Sequence, residues 1–180
     1  MTRRGIVLGF LVVAAFGLSA DTAHAGIPAG RYAIGDSVML GARDELRAAG
    51  FRVNAVKSRR FQDAVPLVRR LVDGGHLPVD LIVALGTNGL LDGADCDAIV
   101  SRAGSGRHVF LVTVKVPRSY RDANNIRLRA CADRHDNASV IDWYEFSRYH
   151  VAWFYDDGYH LTAAGQRAYV ALVERSVDAA

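Results

Sequence analysis

The sequence predicts an α/β protein: three layers, α/β/α, built on a flavodoxin-like parallel sheet of five strands. Three observations lead there. Short apolar, strand-like runs alternate along the chain with segments of helical spacing. Two of those runs, VDLIVALG (Val79 to Gly86) and HVFLVTV (His108 to Val114), are almost wholly apolar, as central strands covered on both faces are. The polar motifs fall where strands end, the edge at which such sheets bind ligands.

The first 25 residues stand outside that alternation. Arg3 and Arg4 precede an almost entirely apolar stretch from Gly5 to Ala20, and Ala23-His24-Ala25 is a small-x-small cleavage pattern. That is the layout of a secretory signal peptide. An uncleaved membrane anchor is the competing reading, but the apolar run is short for a span and contains Gly and Ser. The expectation is a signal peptide over residues 1–25 and a single domain over 26–180, exported to the cell envelope or beyond. No second apolar run of membrane length follows, so no stable span is expected after cleavage.

Within the domain, Arg31 to Ile34 reads as a short strand, and Val38 to Ala49 as a helix stopped by Gly50. Phe51 to Val56 alternates apolar with polar, as an edge strand does. Phe61 to Val72 has helical spacing, with Pro66 tolerable only near its first turn. After the central strand at Val79 to Gly86 come a polar loop and a helix from about Ala94 to Ala103. The strand at His108 to Val114 is followed by helical character over Asn124 to Arg134. Ala138 to Ile141 is a last strand ending at Asp142, and Thr162 caps a final amphipathic helix to Ser176.

Composition narrows the function. Without Arg3, Arg4 and Asp21 the chain keeps 20 basic and 18 acidic residues, too even a balance to argue for nucleic acid. The expectation is a monomer that acts on a small ester or an acylated carbohydrate. The two cysteines, Cys96 and Cys131, would close a loop of 35 residues if exported and oxidised. Such a bridge is worth about 3–4 kcal/mol in the loop-entropy account. Two separate buried thiols are the alternative. No CxxC or HxxxH spacing accompanies them, which argues against a metal site.

The stretch YAIGDSVMLG places Ser37 where the first strand stops and a helix starts. A hydroxyl there is ordinarily a helix cap. It is also where a nucleophile would stand, and DDGYHLT supplies the partners such a nucleophile needs. A serine is weak until a base takes its proton, and the base is usually a histidine held by a carboxylate. Asp157 and His160, three residues apart, suit one turn in which the carboxylate reaches Nδ1 and leaves Nε2 for the serine. Asp156 is the rival carboxylate. The backbone N–H of Ser37 and the side-chain amide of Asn88, in GTNG, can donate to the oxyanion formed on attack.

These blocks resemble a known family. Gly35-Asp36-Ser37, Gly86-Thr87-Asn88 and Asp157-Gly158-Tyr159-His160 look like the first, third and fifth signature blocks of the SGNH hydrolases. The wording IGDSVMLGA, VALGTNG, VIDW and DGYHLTAAG is similar to one branch, the extracytoplasmic domains of peptidoglycan O-acetyltransferases and their freestanding relatives. The resemblance implies a flavodoxin-like fold, esterase or acyltransferase activity without a cofactor, Ser37 as nucleophile, Asp157 as acid, His160 as base and Asn88 in the oxyanion hole. The family's second block offers a glycine N–H, and VKSRRF puts Ser58 there, with a Cβ that restricts the turn. Membrane-spanning relatives carry an acyl-delivery domain that this sequence does not, which favours hydrolysis or transfer from a donor brought by another protein.

Other residues carry weaker expectations. Trp153 and Tyr155 precede the acid and offer faces to a sugar ring or to ordinary packing. Arg59 would face an anionic polymer if the correspondence to the family holds, with a solvated basic surface as the alternative. The polar loops after the third and fourth strands offer little wall for a long acyl chain, so acetyl is the expected group. Two rival functions remain at this level: a non-catalytic envelope-binding module that keeps the fold, and a lipid esterase of the same fold.

Overall fold

The computed structural model describes residues 29–180, so the expected signal peptide at residues 1–25 lies outside the described residues. Five strands form one parallel sheet: β1 (Arg31–Gly35), β2 (Phe51–Ala55), β3 (Asp80–Ala84), β4 (His108–Val112) and β5 (Ala138–Ile141). Their order is β2-β1-β3-β4-β5. The alternating strand at Phe51 is an edge strand, and the almost wholly apolar β3 lies at the centre, as their patterns predict. The chain winds one way from β1 to β2 and the other way from β3 onward. The crevice beyond the carboxyl ends of β1 and β3 is therefore the switch point at which such sheets bind ligands.

Among the described residues, seven α-helices connect and cover the strands: α1 (Ser37–Gly41), α2 (Arg43–Ala48), α3 (Ala64–Asp73), α4 (Gly93–Ala103), α5 (Arg121–Ala132), α6 (Trp143–Ser147) and α7 (Ala163–Asp178). Side chains alternate across the sheet. Leu81 and Val83 of β3 pack with α3, α4 and α5, while Ile82 packs with α1, α2 and α7. Phe110 and Val112 of β4 join the second core, Val109 and Leu111 the first. Two cores on either face of one sheet make the three layers. Cys96 on α4 and Cys131 on α5, both buried, form a disulfide with Cα atoms 6.3 Å apart. The bridge ties together two helices of the first core.

Local differences from the expected elements have local causes. The single helix expected at Val38 to Ala49 is two, broken at Ala42, which leaves helical geometry at φ −97° and ψ 12°. The short α1 folds tightly onto the strand before it. A Cβ at Gly35 would lie 2.4 Å from Met39 Cβ, so only glycine fits at the end of β1. The helix expected from Phe61 opens as a 3-10 turn at Phe61–Asp63 before α3, which places Pro66 in the first turn, where its missing N–H has no partner to lose. Helix α6 and a 3-10 turn at Val151–Trp153 have no counterpart in the sequence reading, because aromatic residues crowd that segment without a regular period.

Candidate active site

Asp36, and not Ser37, caps the helix after the first strand: its carboxylate accepts from Val38 N–H at 2.9 Å. Ser37 is instead the first residue of α1. Its own N–H belongs to the first turn, where donors have no partner within the helix. Its Oγ lies 2.9 Å from Nε2 of His160, although 123 residues separate them in the chain.

His160 arrives from a tight loop between Phe154 and Leu161, which meet in an antiparallel bridge. Inside it, Asp157 Oδ1 accepts from the N–H groups of Tyr159 and His160, both at 3.0 Å, and Gly158 takes φ +77°. That turn leaves Asp157 Oδ2 at 2.6 Å from His160 Nδ1. Partial burial pushes the Asp157 carboxyl up, but hydrogen bonds from the imidazole and the two amides outweigh it and hold it below the usual carboxylate range. Asp156, the rival acid, lines a neighbouring groove instead. Lys115, from the loop after β4, donates from Nζ to Gly158 O at 2.5 Å and anchors the turn to the sheet edge.

Asn88 follows β3. Its Nδ2 donates to Asp36 Oδ2 and to Arg59 O, each at 3.2 Å. Asp36 is fully buried, and burial raises its carboxyl above its ordinary range against the pull of the Val38 amide, Thr87 and His160. Ser58 lies in the exposed turn after β2 and takes φ +59°. Its Cβ thus does not prevent a glycine-like turn, at a cost of about 1–2 kcal/mol. Because Asn88 bonds the carbonyl of the next residue, Arg59, that turn lies alongside the GTNG loop.

Arg59 and Trp153, expected as substrate contacts, both have partners inside the protein. The Arg59 guanidinium donates to Gly35 O at 3.1 Å, Asn54 O at 2.5 Å and Asn54 Oδ1 at 2.8 Å. It braces the ends of β1 and β2 with three of its five N–H donors. Trp153 is a packing residue, stacked on His150 at 3.8 Å and on Trp143 at 6.0 Å. Tyr155 is 59% exposed and lines the groove beside Asp157.

Two residues missed in the sequence reading hold the loops in place. Buried Asn124 donates to Gly86 O (2.8 Å) and Gly89 O (2.9 Å) and accepts from Leu91 N–H (2.9 Å), closing the loop that carries Asn88. Its neighbour Asn125 does the same for Val114 after β4. The available signal was two consecutive asparagines at the start of a helix; which way they faced was not legible. Asp142, at the end of the last strand, accepts from Thr113 Oγ1 at 2.9 Å and Arg129 Nη2 at 2.6 Å.

No family model matches the chain. O-acetyltransferase OatA of Staphylococcus aureus is 29% identical over 148 residues, covering 81% of this chain and 24% of that protein. Peptidoglycan O-acetyltransferase OatA of Listeria monocytogenes is 32% identical over 143 residues, covering 78% of this chain and 23% of that one. The chain thus spans about a quarter of the length of these relatives. Among solved structures, the C-terminal catalytic domain of Streptococcus pneumoniae peptidoglycan O-acetyltransferase A superposes with a TM-score of 0.77 at 26% identity, covering 86% of this chain and 95% of that one. A GDSL-like lipase from Bacteroides thetaiotaomicron shares the fold, with a TM-score of 0.63 at 17% identity over 82% of this chain and 86% of that one.

Proposed function

We propose that this chain, a homologue of the peptidoglycan O-acetyltransferases with the SGNH hydrolase fold, is an exported serine enzyme that moves small O-acyl groups, acetyl above all, on cell-envelope carbohydrate. Ser37 Oγ attacks the acyl carbon while His160 Nε2 takes its proton. The proton then passes to the departing hydroxyl, leaving an acyl ester on Ser37. Asp157 holds the imidazole with Nδ1–H toward itself and stabilises the imidazolium. The N–H of Ser37, the amide of Asn88 and the N–H of Ser58 receive the oxyanion. Water or a sugar hydroxyl, deprotonated by His160, then takes the acyl group and frees the serine.

The observation that carries this reading is one chain of contacts: Ser37 Oγ to His160 Nε2 at 2.9 Å and His160 Nδ1 to Asp157 Oδ2 at 2.6 Å. The preference for a small acyl group is supported by the cavity beside Asp36 and Val38, the neighbours of Ser37. It measures only about 20 Å³, too little for a long chain, and is bounded by Trp143 and Tyr169. Labelling with a fluorophosphonate, with nitrophenyl acetate turnover measured alongside, tests the reading. Ser37→Ala is expected to abolish labelling and lower kcat by about four orders of magnitude. Equal labelling of both proteins would refute it.

A further inference from the structure

In the layer of α4 and α5, two segments bring four metal-ligand side chains together. Asp97 on α4 and His135, just past the end of α5, meet through a contact of 3.0 Å between Oδ1 and Nε2. The Cys131 sulfur, the Asp97 carboxylate and a His135 ring nitrogen all lie within 4.8 Å of one another. Cys96 directly precedes Asp97 in the chain and is bonded to Cys131. The sequence shows no paired metal motif because the ligands come from two separate segments. Cys131 and His135 are four residues apart, about one turn of backbone.

The disulfide decides what this cluster can do. While the bridge is closed, neither cysteine has a thiolate to offer, and only Asp97 and His135 can ligate. A dithiol reductant opens it: two electrons enter the S–S bond, Cys96 and Cys131 each end as a thiol, and the reductant's own thiols join as a disulfide. The set is then two sulfurs, an imidazole and a carboxylate, donors that zinc takes in tetrahedral sites. Zinc holds such donors at about 2.0–2.3 Å, so a cluster up to 4.8 Å wide has to contract by about 1 Å. Both cysteines are buried, whereas Asp97 and His135 are partly exposed and admit the ion from solvent. His135 also lines a groove with Ser105, Arg134 and Asn137, which supplies the path. Arg134 is the competitor. It donates to Asp97 Oδ1 from Nε at 3.2 Å and from Nη2 at 2.8 Å, and to Oδ2 at 3.0 Å, so an ion has to share that carboxylate with it.

We propose that reduction of the Cys96–Cys131 bridge turns this corner into a zinc site held by Cys96, Cys131, His135 and Asp97. Binding Zn²⁺ displaces the two thiol protons into solvent. Helices α4 and α5 are tied together in both states, covalently when oxidised and through the metal when reduced. Reoxidation by a disulfide compound reverses the step: two electrons leave the thiolates, the S–S bond forms again and Zn²⁺ departs with its charge unchanged. The site belongs to the core on the other face of the sheet from α1 and α7, and the inference stands apart from the acyl-transfer reading.

Zinc binding by the full chain, measured in competition with a chromogenic chelator, tests the proposal. Oxidised protein is compared with protein reduced by a phosphine and kept free of oxygen. The chain has only two cysteines, so the difference between the two forms reports this site. The reduced form is expected to bind one Zn²⁺ with a Kd of about 0.1 µM or tighter. The oxidised form should bind at least about a hundredfold more weakly. Cobalt in place of zinc should give the reduced form a thiolate-to-cobalt absorption band and the oxidised form none. Reduced His135→Ala, which keeps both thiols, should lose about a hundredfold in zinc affinity, and reduced Asp97→Asn about tenfold. Equal affinity of the oxidised and reduced forms, or a reduced His135→Ala that binds zinc as tightly as the reduced wild type, would overturn the site.

Discussion

Asn88 and Asp36 are joined across the mouth of the site: Nδ2 of the asparagine donates to Oδ2 of the buried aspartate at 3.2 Å. The second contact of the same nitrogen, to Arg59 O, is also 3.2 Å long. The resting amide is thus held between the loops after β1 and β2, facing acceptors that an arriving oxyanion would have to outcompete. Both contacts are long for N–H···O bonds, so the exchange costs little. Asn88→Ala is expected to lower kcat by about a hundred- to a thousandfold with a smaller change in KM. Steady-state kinetics on nitrophenyl acetate checks this, and an unchanged kcat would remove Asn88 from the oxyanion hole.

Asn124 supports that amide from behind. Its substitution by alanine leaves Gly86 O, Gly89 O and Leu91 N–H without their partner inside the protein. A loss of about 2–4 kcal/mol in unfolding free energy is expected. Because the same loop carries Asn88, turnover by the folded fraction should fall by about ten- to a hundredfold. Denaturant melts and ester kinetics, both below the melting range, separate the two effects.

The disulfide is a stability device remote from the chemistry. Cys96 and Cys131 lie in the layer of α4 and α5, packed in a different core from α1 and α7. Replacing both cysteines by alanine should cost about 3–4 kcal/mol. Turnover per folded molecule should be unchanged, as measured by active-site titration beside the melt.

Acid sensitivity has an identifiable contributor in Asp142. Burial pushes its carboxyl up, but hydrogen bonds from Arg129, the Glu145 amide and Thr113 prevail and hold it below its ordinary value of 3.8. A depressed carboxylate stabilises the fold above its unfolded pKa and loses that contribution as pH falls through the folded one. Asp142→Asn should therefore melt below the wild type at neutral pH, with a deficit of about 1 kcal/mol. The gap should close as pH drops beneath 3.8. Melting curves of both proteins across that range check the sign.

Much of this was legible in the sequence, for physical reasons that differ by element. The apolar runs of β3 and β4 announced buried parallel strands because nothing else buries both faces of so short a segment. Asp157 and His160 were legible because three residues span one turn, and that contact is local. The Ser37–His160 contact spans the whole chain and was approached only through the rule that strand ends share an edge. The bracing role of Arg59 was not legible, because its partners, Gly35 and Asn54, are set by the packing of β1 beside β2. Asn124 and Asn125 were silent because only the packing of α5 turns them inward. The role of Asp36 as the cap depended on which of two adjacent polar side chains faced Val38 N–H.

The central claim is that Ser37 carries the acyl group between donor and acceptor. Intact-protein and peptide mass spectrometry after rapid mixing with an activated acetyl ester tests it most directly. The wild type is expected to gain one acetyl group, located on the peptide containing Ser37, and to lose it as turnover completes. Ser37→Ala should gain none and turn over no ester. Turnover by Ser37→Ala at the wild-type rate, or an adduct on another residue, would contradict the account.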